Sequence, residues 1–492
     1  MDLVINLEYK PSIPLYRRLS DAIRRAIIEG RLKPGESMPS VRDLAVTMQV
    51  SRTTILKAFD DLQKQDYVMT ISGAGSYVCD PLPGELADMR DSVVRPSTGS
   101  VEGQQKTILF SKYGQRVLQT ANFQRLRLEQ LSQINFCGPP LDLTPLTKWR
   151  QLLLRHCRLR DIAQLAHARE PLGYPPLRDA VSAYLHRARA LKYSPEQLIV
   201  FASQQFKLEI PARLLIDPGD LVALEEPGYP DARMCLGAHG AAFINIPVDE
   251  EGIDVNYLTA LSRKLKCVYV TPSHQDPTGV VMSLSRRKQL LDWADKTGTL
   301  IIEDDYDSEY RYGGEELPSL HGLDRGDNVI YISSLWKVLF PMVRMGFLVV
   351  PRCLIRPVLL AKMQTERNLP LLEQFALTDF INEGHLEKHI KRTKSIYAKR
   401  RQILIHALTV HLKNIVSLSA ESAGLHLLVH VESRHSDQQL IETAMQSQLS
   451  LMSTSLYYSG AHKPGEFLMP FAHLHEEEIE ENVFSWSQFI KS

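Results

Sequence analysis

Lys337 stands just past the apolar run NVIYISSLW, where a fold can strip an amine of water and let it condense with a carbonyl. Thirty-three residues upstream a second run, TLIIEDDYD, ends in Asp304, Asp305 and Tyr306, carboxylates and a phenol able to hold a cation or share a proton. Arg344 follows Lys337 by seven residues, after Phe340-Pro341. LIVFASQQ puts Ser203 and Gln204 between a strand-like run and an apolar helix. Backbone N–H groups at such a helix start face an anion. Each residue alone has an ordinary explanation as a solvated cap or a surface acid. The order and spacing of the set carry the case.

An amine, a carboxylate, an anion-binding turn and an apolar wall are what a protein offers pyridoxal 5′-phosphate (PLP). Every candidate lies at the end of an expected strand, where α/β folds place their sites. The strands are LIVFA, LVALEE, CVYVTP, TLIIEDD, NVIYISS and GFLVVP, separated by helical patterns across 109–492. That alternation predicts an α/β domain with a mainly parallel sheet.

The chain has 492 residues, room for roughly three folding units. Hydrophobic residues make up 44% and charged residues 23%, the balance of a globular protein. Lys+Arg and Asp+Glu are both 57, which excludes a protein basic overall. Any nucleic-acid site must be a local patch. No apolar run approaches the ~18 residues of a membrane span. MDLVINLEYKP carries acids and no apolar stretch, so no signal peptide is expected. Cys79, Cys137, Cys157, Cys235, Cys267 and Cys353 are scattered without a C-x-x-C pair. They read as reduced thiols of a cytosolic protein, with no metal site.

A local patch exists near the start. Leu15, Leu19, Ile23, Ala26 and Ile27 predict an amphipathic helix over 14–29, stopped by Gly30. Ser40 and Ser51 are placed to cap two further helices, running to about Gln49 and Gln65. Tyr67–Ile71 and Ser76–Cys79 flank Gly73-Ala74-Gly75 as a hairpin. VRDLAVTMQVSRTTILKAF reads as a helix-turn-helix, with Leu44, Val50, Ile55, Phe59 and Leu62 as shared core and Ala45 at the close approach. Ser51, Arg52, Thr53 and Thr54 open the second helix, the end that reaches base edges and phosphates. Segment 17–57 holds nine Lys/Arg against four Asp/Glu, the footprint of a phosphate-binding face. Residues 80–108, rich in Pro, Gly, Ser and charge, read as a flexible linker. The expected organisation is a DNA-binding domain at 1–79, the linker at 80–108 and a PLP-binding domain at 109–492.

PLYRRLSDAIRRAIIEGRLKPGESMPSVRDLA and VSRTTILKAFDDLQKQDYVMTISGAGSYV together resemble the winged helix-turn-helix of the GntR family over 14–79. The resemblance implies that Arg42 and Arg52 contact operator DNA and that Gly73 lies in the wing. Gln49 stands where a Gly commonly makes the turn, and Leu56 where several relatives place a base-reading Arg, which leaves the operator open.

REPLGYPPLRDAVSAYL, LIDPGDLVALEEPGYPDAR, VTPSHQDPTG, IIEDDYDSEYRY and SSLWKVLFPMVRMGF resemble the MocR-type subgroup of GntR regulators, which carry a fold-type I aminotransferase-like domain. The resemblance implies that Lys337 is the Schiff-base lysine, that Asp304 pairs with the pyridinium nitrogen and that Tyr306 meets the phenolic oxygen. It implies that Ser203, Gln204, Ser334 and Arg344 hold the phosphate and that Tyr229 lies against the ring. Three positions depart from the pattern: Ala202 for Gly, Trp336 for Ser, and Asp276 for an Asn or aromatic residue before PTG. A carboxylate at 276 would repel an anionic phenolic oxygen unless a proton compensates. The Arg that usually clamps a substrate carboxylate is absent after Arg434, and Lys463 is the nearest cationic substitute. The expectation is a cytoplasmic, homodimeric transcription regulator that senses an amine or amino acid through PLP. The alternatives are a PLP-dependent aminotransferase of the aminoadipate or aromatic type, and a helix-turn-helix protein whose PLP fold is dead.

Overall fold

A computed structural model describes residues 14–28, 32, 36–48, 50–65, 67–71, 75–78, 109–133, 140, 143–157, 170–203, 205–314, 317–367, 369–419 and 423–491. The chain divides into two compact units, 1–108 and 109–492. Gly73, Gln204, and the 80–108 segment expected as a linker lie outside the described residues.

In the first unit, α1 (Leu15–Ile28), α2 (Val41–Thr47) and α3 (Arg52–Lys64) precede β1 (Val68–Ile71) and β2 (Gly75–Val78). The two strands pair antiparallel with Val68 opposite Val78. Met38 N–H donates to the Ser76 carbonyl and Val78 N–H to the Glu36 carbonyl, so a third short segment joins the pair. Ser40 Oγ accepts from Asp43 N–H and Ser51 Oγ from Thr54 N–H, both at 3.1 Å, so both expected caps form. Each satisfies a donor that the helix start leaves open. Leu19, Ile23, Ala26, Leu44, Ala45, Ile55, Phe59 and Leu62 are buried together with Val68 and Val78. Leu15 departs from the expected stripe: at the first turn of α1 it remains 36% exposed.

The second unit is built on an eight-stranded sheet in the order β3-β10-β9-β8-β7-β4-β5-β6. Its strands are β3 (Leu198–Phe201), β4 (Leu221–Glu226), β5 (Ala242–Asp249), β6 (Gly252–Ile253), β7 (Cys267–Val270), β8 (Leu300–Asp305), β9 (Val329–Ser334) and β10 (Gly346–Val349). β5, β4, β7, β8 and β9 run parallel, while β10 is antiparallel to both β9 and β3. The six apolar runs read from the sequence all become strands, because helices cover both sheet faces. β5 was not among them. AFINIPVD interleaves polar residues, and it lies toward the sheet edge, half exposed. A second, antiparallel sheet, β11 (Val416–Ser419), β12 (His426–Val431), β13 (Met452–Ser453) and β14 (Glu466–Pro470), has the order β11-β12-β14-β13. It packs with the 28-residue helix His385–Leu412 and the helix Ile479–Lys491 into one core that includes Tyr397, Leu404, Val429, Phe467 and Trp486. Among the described residues no helix is long and apolar enough to cross a membrane.

Candidate functional site

The end of β8 shows how the strand sorts its acids. Side chains alternate across a strand, so Glu303 and Asp305 leave one face and Asp304 the other. Glu303 is buried and accepts from Leu320 N–H (2.8 Å) and His321 N–H (2.9 Å), holding the short helix Leu320–Leu323 against the sheet. Asp305 takes Arg189 through Nε at 2.7 Å and Nη2 at 3.3 Å, and Tyr331 OH donates to it at 2.5 Å. Asp304 is left facing a cavity of about 200 Å³.

Lys337, Asp304, Tyr306, Asp276, Tyr229 and Ser334 all line that cavity. They come from the C-terminal ends of β8 and β9 and from the loops after β4 and β7, so the parallel strands converge them as a mainly parallel sheet must. Lys337 rides on the short helix Trp336–Leu339, directly after Ser334 closes β9. Tyr269 OH donates to Asp304 Oδ2 at 2.6 Å. Tyr306 OH lies 2.9 Å from His274 Nδ1, and Asp307 Oδ2 lies the same distance from that nitrogen. Tyr229 OH donates to Asp231 at 2.8 Å.

Two expected anion contacts are placed differently. Ser203 Oγ accepts from Gln205 N–H at 3.2 Å, and it is Gln205 rather than Ser203 that lines the cavity. Arg344 is exposed, with its guanidinium 4.9 Å from the centre of the Trp336 ring. The bulk of Trp336 gives that guanidinium an aromatic face to stack on. Lys463 is 70% exposed beside Glu466, and Arg434 is exposed in a loop after β12, so neither lines the cavity.

Among the cavity residues that the sequence does not single out, three are basic. His426, from β12, is buried, which pushes it well below the ordinary imidazole range. Arg127, from the helix Ala121–Gln133, is buried with its Nε 3.4 Å from Asp231 Oδ1 and its guanidinium 5.5 Å from the Tyr457 ring centre. Lys207, in the helix Phe206–Leu215, pairs with Asp304 Oδ1 at 3.3 Å. A lone Lys among Phe206, Leu208, Ile210 and Ala212 was the available signal for the last.

Burial pushes Asp276 up to about 7, against the pull of Arg127, His274 and Lys337. Its unfolded counterpart titrates near about 4. Between those values folding takes up a proton, so this group's stabilising contribution is complete below about 4 and is lost as pH rises through 7. Asp276→Asn is therefore expected to gain stability relative to the natural chain at pH 8 and little at pH 4. Urea midpoints of both proteins at the two pH values check this. Glu303 and Glu309, also raised to about 7 by burial, are common to both and cancel, while Glu225, raised in part by Asp276 itself, is relieved in the variant and adds to the gain at pH 8. A gap between the proteins that is the same at both pH values would refute it.

On the first unit, Arg42, Ser51, Arg52 and Thr53 are exposed and Thr54 is half-buried. Arg42 sits in the first turn of α2 and Arg52 opens α3, so the caps at Ser40 and Ser51 fix both. Arg24 is tied to Asp21 at 2.6 Å and to Gln65 at 3.0 Å, so that member of the basic set braces α1 on α3.

Residues 15–78 match the bacterial regulatory proteins of the gntR family, and residues 132–483 match aminotransferase class I and II. The probable rhizopine catabolism regulatory protein MocR of Rhizobium meliloti is 32% identical over 456 residues, covering 92% of this chain and 89% of that one. The uncharacterized HTH-type transcriptional regulator YdeL of Bacillus subtilis (strain 168) is 31% identical over 488 residues, covering 98% of each. The crystal structure of LysN, the α-aminoadipate aminotransferase of Thermus thermophilus, superposes with a TM-score of 0.68 at 26% identity, covering 78% of this chain and 97% of that one. A GntR helix-turn-helix ahead of an aminotransferase-like unit defines a DNA-binding transcription regulator. The chain belongs to the MocR-type subgroup of that family.

Proposed function

We propose that the second unit holds PLP through Lys337 and that an amine or amino acid arriving there changes the DNA affinity of the first. The observation that carries this is the meeting of Lys337, Asp304, Tyr306 and Asp276 on one cavity. The residues fit the group. Lys337 offers the amine, Asp304 a buried carboxylate for the ring nitrogen, Tyr229 and Tyr306 an aromatic wall, and Ser334 with the start of the helix Phe206–Leu215 the anion end. Asp276, raised to about 7, can keep a proton near neutrality and donate it to the phenolic oxygen, where an ionised carboxylate would repel. When bound, PLP supplies an electrophilic carbon that links to amines.

Lys337 is the group an incoming amine displaces, and its release is the local event the protein has to transmit. The ligand must favour one arrangement of the protein energetically for DNA affinity to respond. A homodimer in the cytoplasm suits this role, because paired operator half-sites match a two-fold protein.

Turnover demands more than binding, since the reacting Cα–H bond must be aligned. The C-terminal Arg that would clamp a carboxylate is missing, and Arg434 and Lys463 face solvent. Amino acids are therefore expected to change the visible spectrum and operator affinity while yielding negligible keto acid. The assay follows keto-acid formation over hours with a panel of amino acids and amines, alongside operator binding. A second reading, an aminotransferase of the aminoadipate or aromatic type, is favoured by Arg127, whose buried guanidinium on the cavity is a carboxylate-binding fork. Sustained multiple turnovers with any common amino donor would replace the sensor reading with that one.

A further inference from the structure

A second lysine shares the cavity with Lys337. Lys207 and Asp304 are both buried, with side-chain exposures of 9% and 6%, and Lys207 Nζ lies 3.3 Å from Asp304 Oδ1. The other oxygen, Oδ2, is taken by Tyr269 OH at 2.6 Å. A buried ammonium is expensive and persists only where a charge partner meets it. On its helix Lys207 is flanked by the buried Leu208, Ile210, Pro211 and Ala212, with Phe206 and Glu209 half-buried and Glu209 paired with His239. Both oxygens of Asp304 are thus engaged by the protein itself, one by a full positive charge.

We propose that Lys207 is a positioning residue that claims the charge of Asp304 and so withholds it from the ring nitrogen of bound PLP. The inference rests on the reading of Asp304 as the ring-nitrogen partner. A ring nitrogen in a buried site keeps a proton when a negative charge faces it, and loses it when that charge is already neutralised. An unprotonated ring draws less electron density from the reacting carbon. Loss of the Cα proton then becomes difficult. The amine link at Lys337 survives, because it needs only an electrophilic carbon. A site of this kind registers an amine and does not process it.

The test uses full-length protein loaded with PLP carrying ¹⁵N in the ring, as the natural chain, Lys207→Met and Lys207→Gln. The methionine fits an apolar helix face, and the glutamine keeps a hydrogen bond without the charge. The expected result is a ¹⁵N shift in the neutral-pyridine range for the natural chain at pH 7, moving to the pyridinium range in both variants. PLP affinity should rise roughly tenfold in the variants as Asp304 turns to the ring. A pyridinium shift in the natural chain, or an unchanged shift in variants with native far-UV spectra, would overturn the proposal. Borohydride reduction and peptide mapping of the same samples separate the two layers. Label fixed at Lys337 with an unchanged shift removes only the role of Lys207. No fixed label in any of the three proteins removes the PLP reading and this inference with it.

Discussion

Lys337→Ala is expected to abolish the visible absorption of PLP held covalently by the protein, while the far-UV spectrum stays native. The size of the effect follows from the chemistry. A covalent link either forms or does not, and the replacement leaves no equivalent amine. Lys207 also lines the cavity, but its Nζ is paired with Asp304, and a protonated amine is not a nucleophile. The fold should tolerate the change, because Lys337 is half-buried at the cavity rim and the buried members of its short helix are Val338 and Leu339. Basal DNA binding should persist, since Arg42 and Arg52 belong to the other unit. Spectra of both proteins after incubation with excess PLP, followed by borohydride reduction and peptide mapping, provide the check. A colourless natural chain, or a variant that keeps the band, would contradict the assignment.

Arg42→Ala and Arg52→Ala should weaken DNA binding in two different ways. Arg42, beside the Ser40 cap, is expected to touch phosphate. Its loss should lower affinity for all sequences and reduce the salt slope by about one. Arg52 opens the recognition helix α3, where side chains reach base edges. Its loss should cost about 1–3 kcal/mol on the cognate site and relax discrimination against random duplex. The double variant should bind its operator on the order of a hundredfold more weakly, if each change removes about a factor of ten. Anisotropy titrations at several salt concentrations, on an operator selected from random duplexes and on a scrambled one, measure both terms. Equal salt slopes for Arg42→Ala and the natural chain would remove Arg42 as a phosphate contact. An unaltered ratio between the two duplexes would remove Arg52 as a reader.

Much of this architecture was legible because it is local. Ser40 and Ser51 announce helix starts through their own side chains, and continuous apolar runs announce buried parallel strands. The cavity residues at strand ends were legible for the same reason: a parallel sheet puts the ends of its strands on one side. What escaped was decided by distant packing. QRLRLEQL offers Arg125 and Arg127 in nearly equivalent surroundings. Arg125 pairs with Glu129 in solvent, whereas Arg127 is buried against Asp231, 104 residues away in sequence. Glu129, four residues after Arg125, accounts locally for that one, but nothing nearby marks Arg127 for burial. β5 and the antiparallel sheet of the C-terminal part were missed because short, half-polar strands are specified by their partners more than by their own pattern. Ser203 and Arg344 suit an anion by type; Ser203 Oγ accepts from Gln205 N–H and the Arg344 guanidinium stacks on Trp336, a residue of the cavity lining.

The alternation at the end of β8 constrains how such a site can change over time. Glu303 and Asp305 each hold a distant segment in place, the helix at 320 and the side chain of Arg189, while Asp304 between them faces the cavity. A one-residue shift of the strand would send Asp304 into the scaffold and a scaffold acid into the cavity. The strand therefore cannot drift without breaking architecture and chemistry together. Variation is confined to groups whose mountings are independent of it: Lys207 on a helix, Asp276 on a loop, Arg127 on a segment far away in sequence. A lineage that exchanges catalysis for recognition on this frame would do so by altering those neighbours while leaving the acid itself in place.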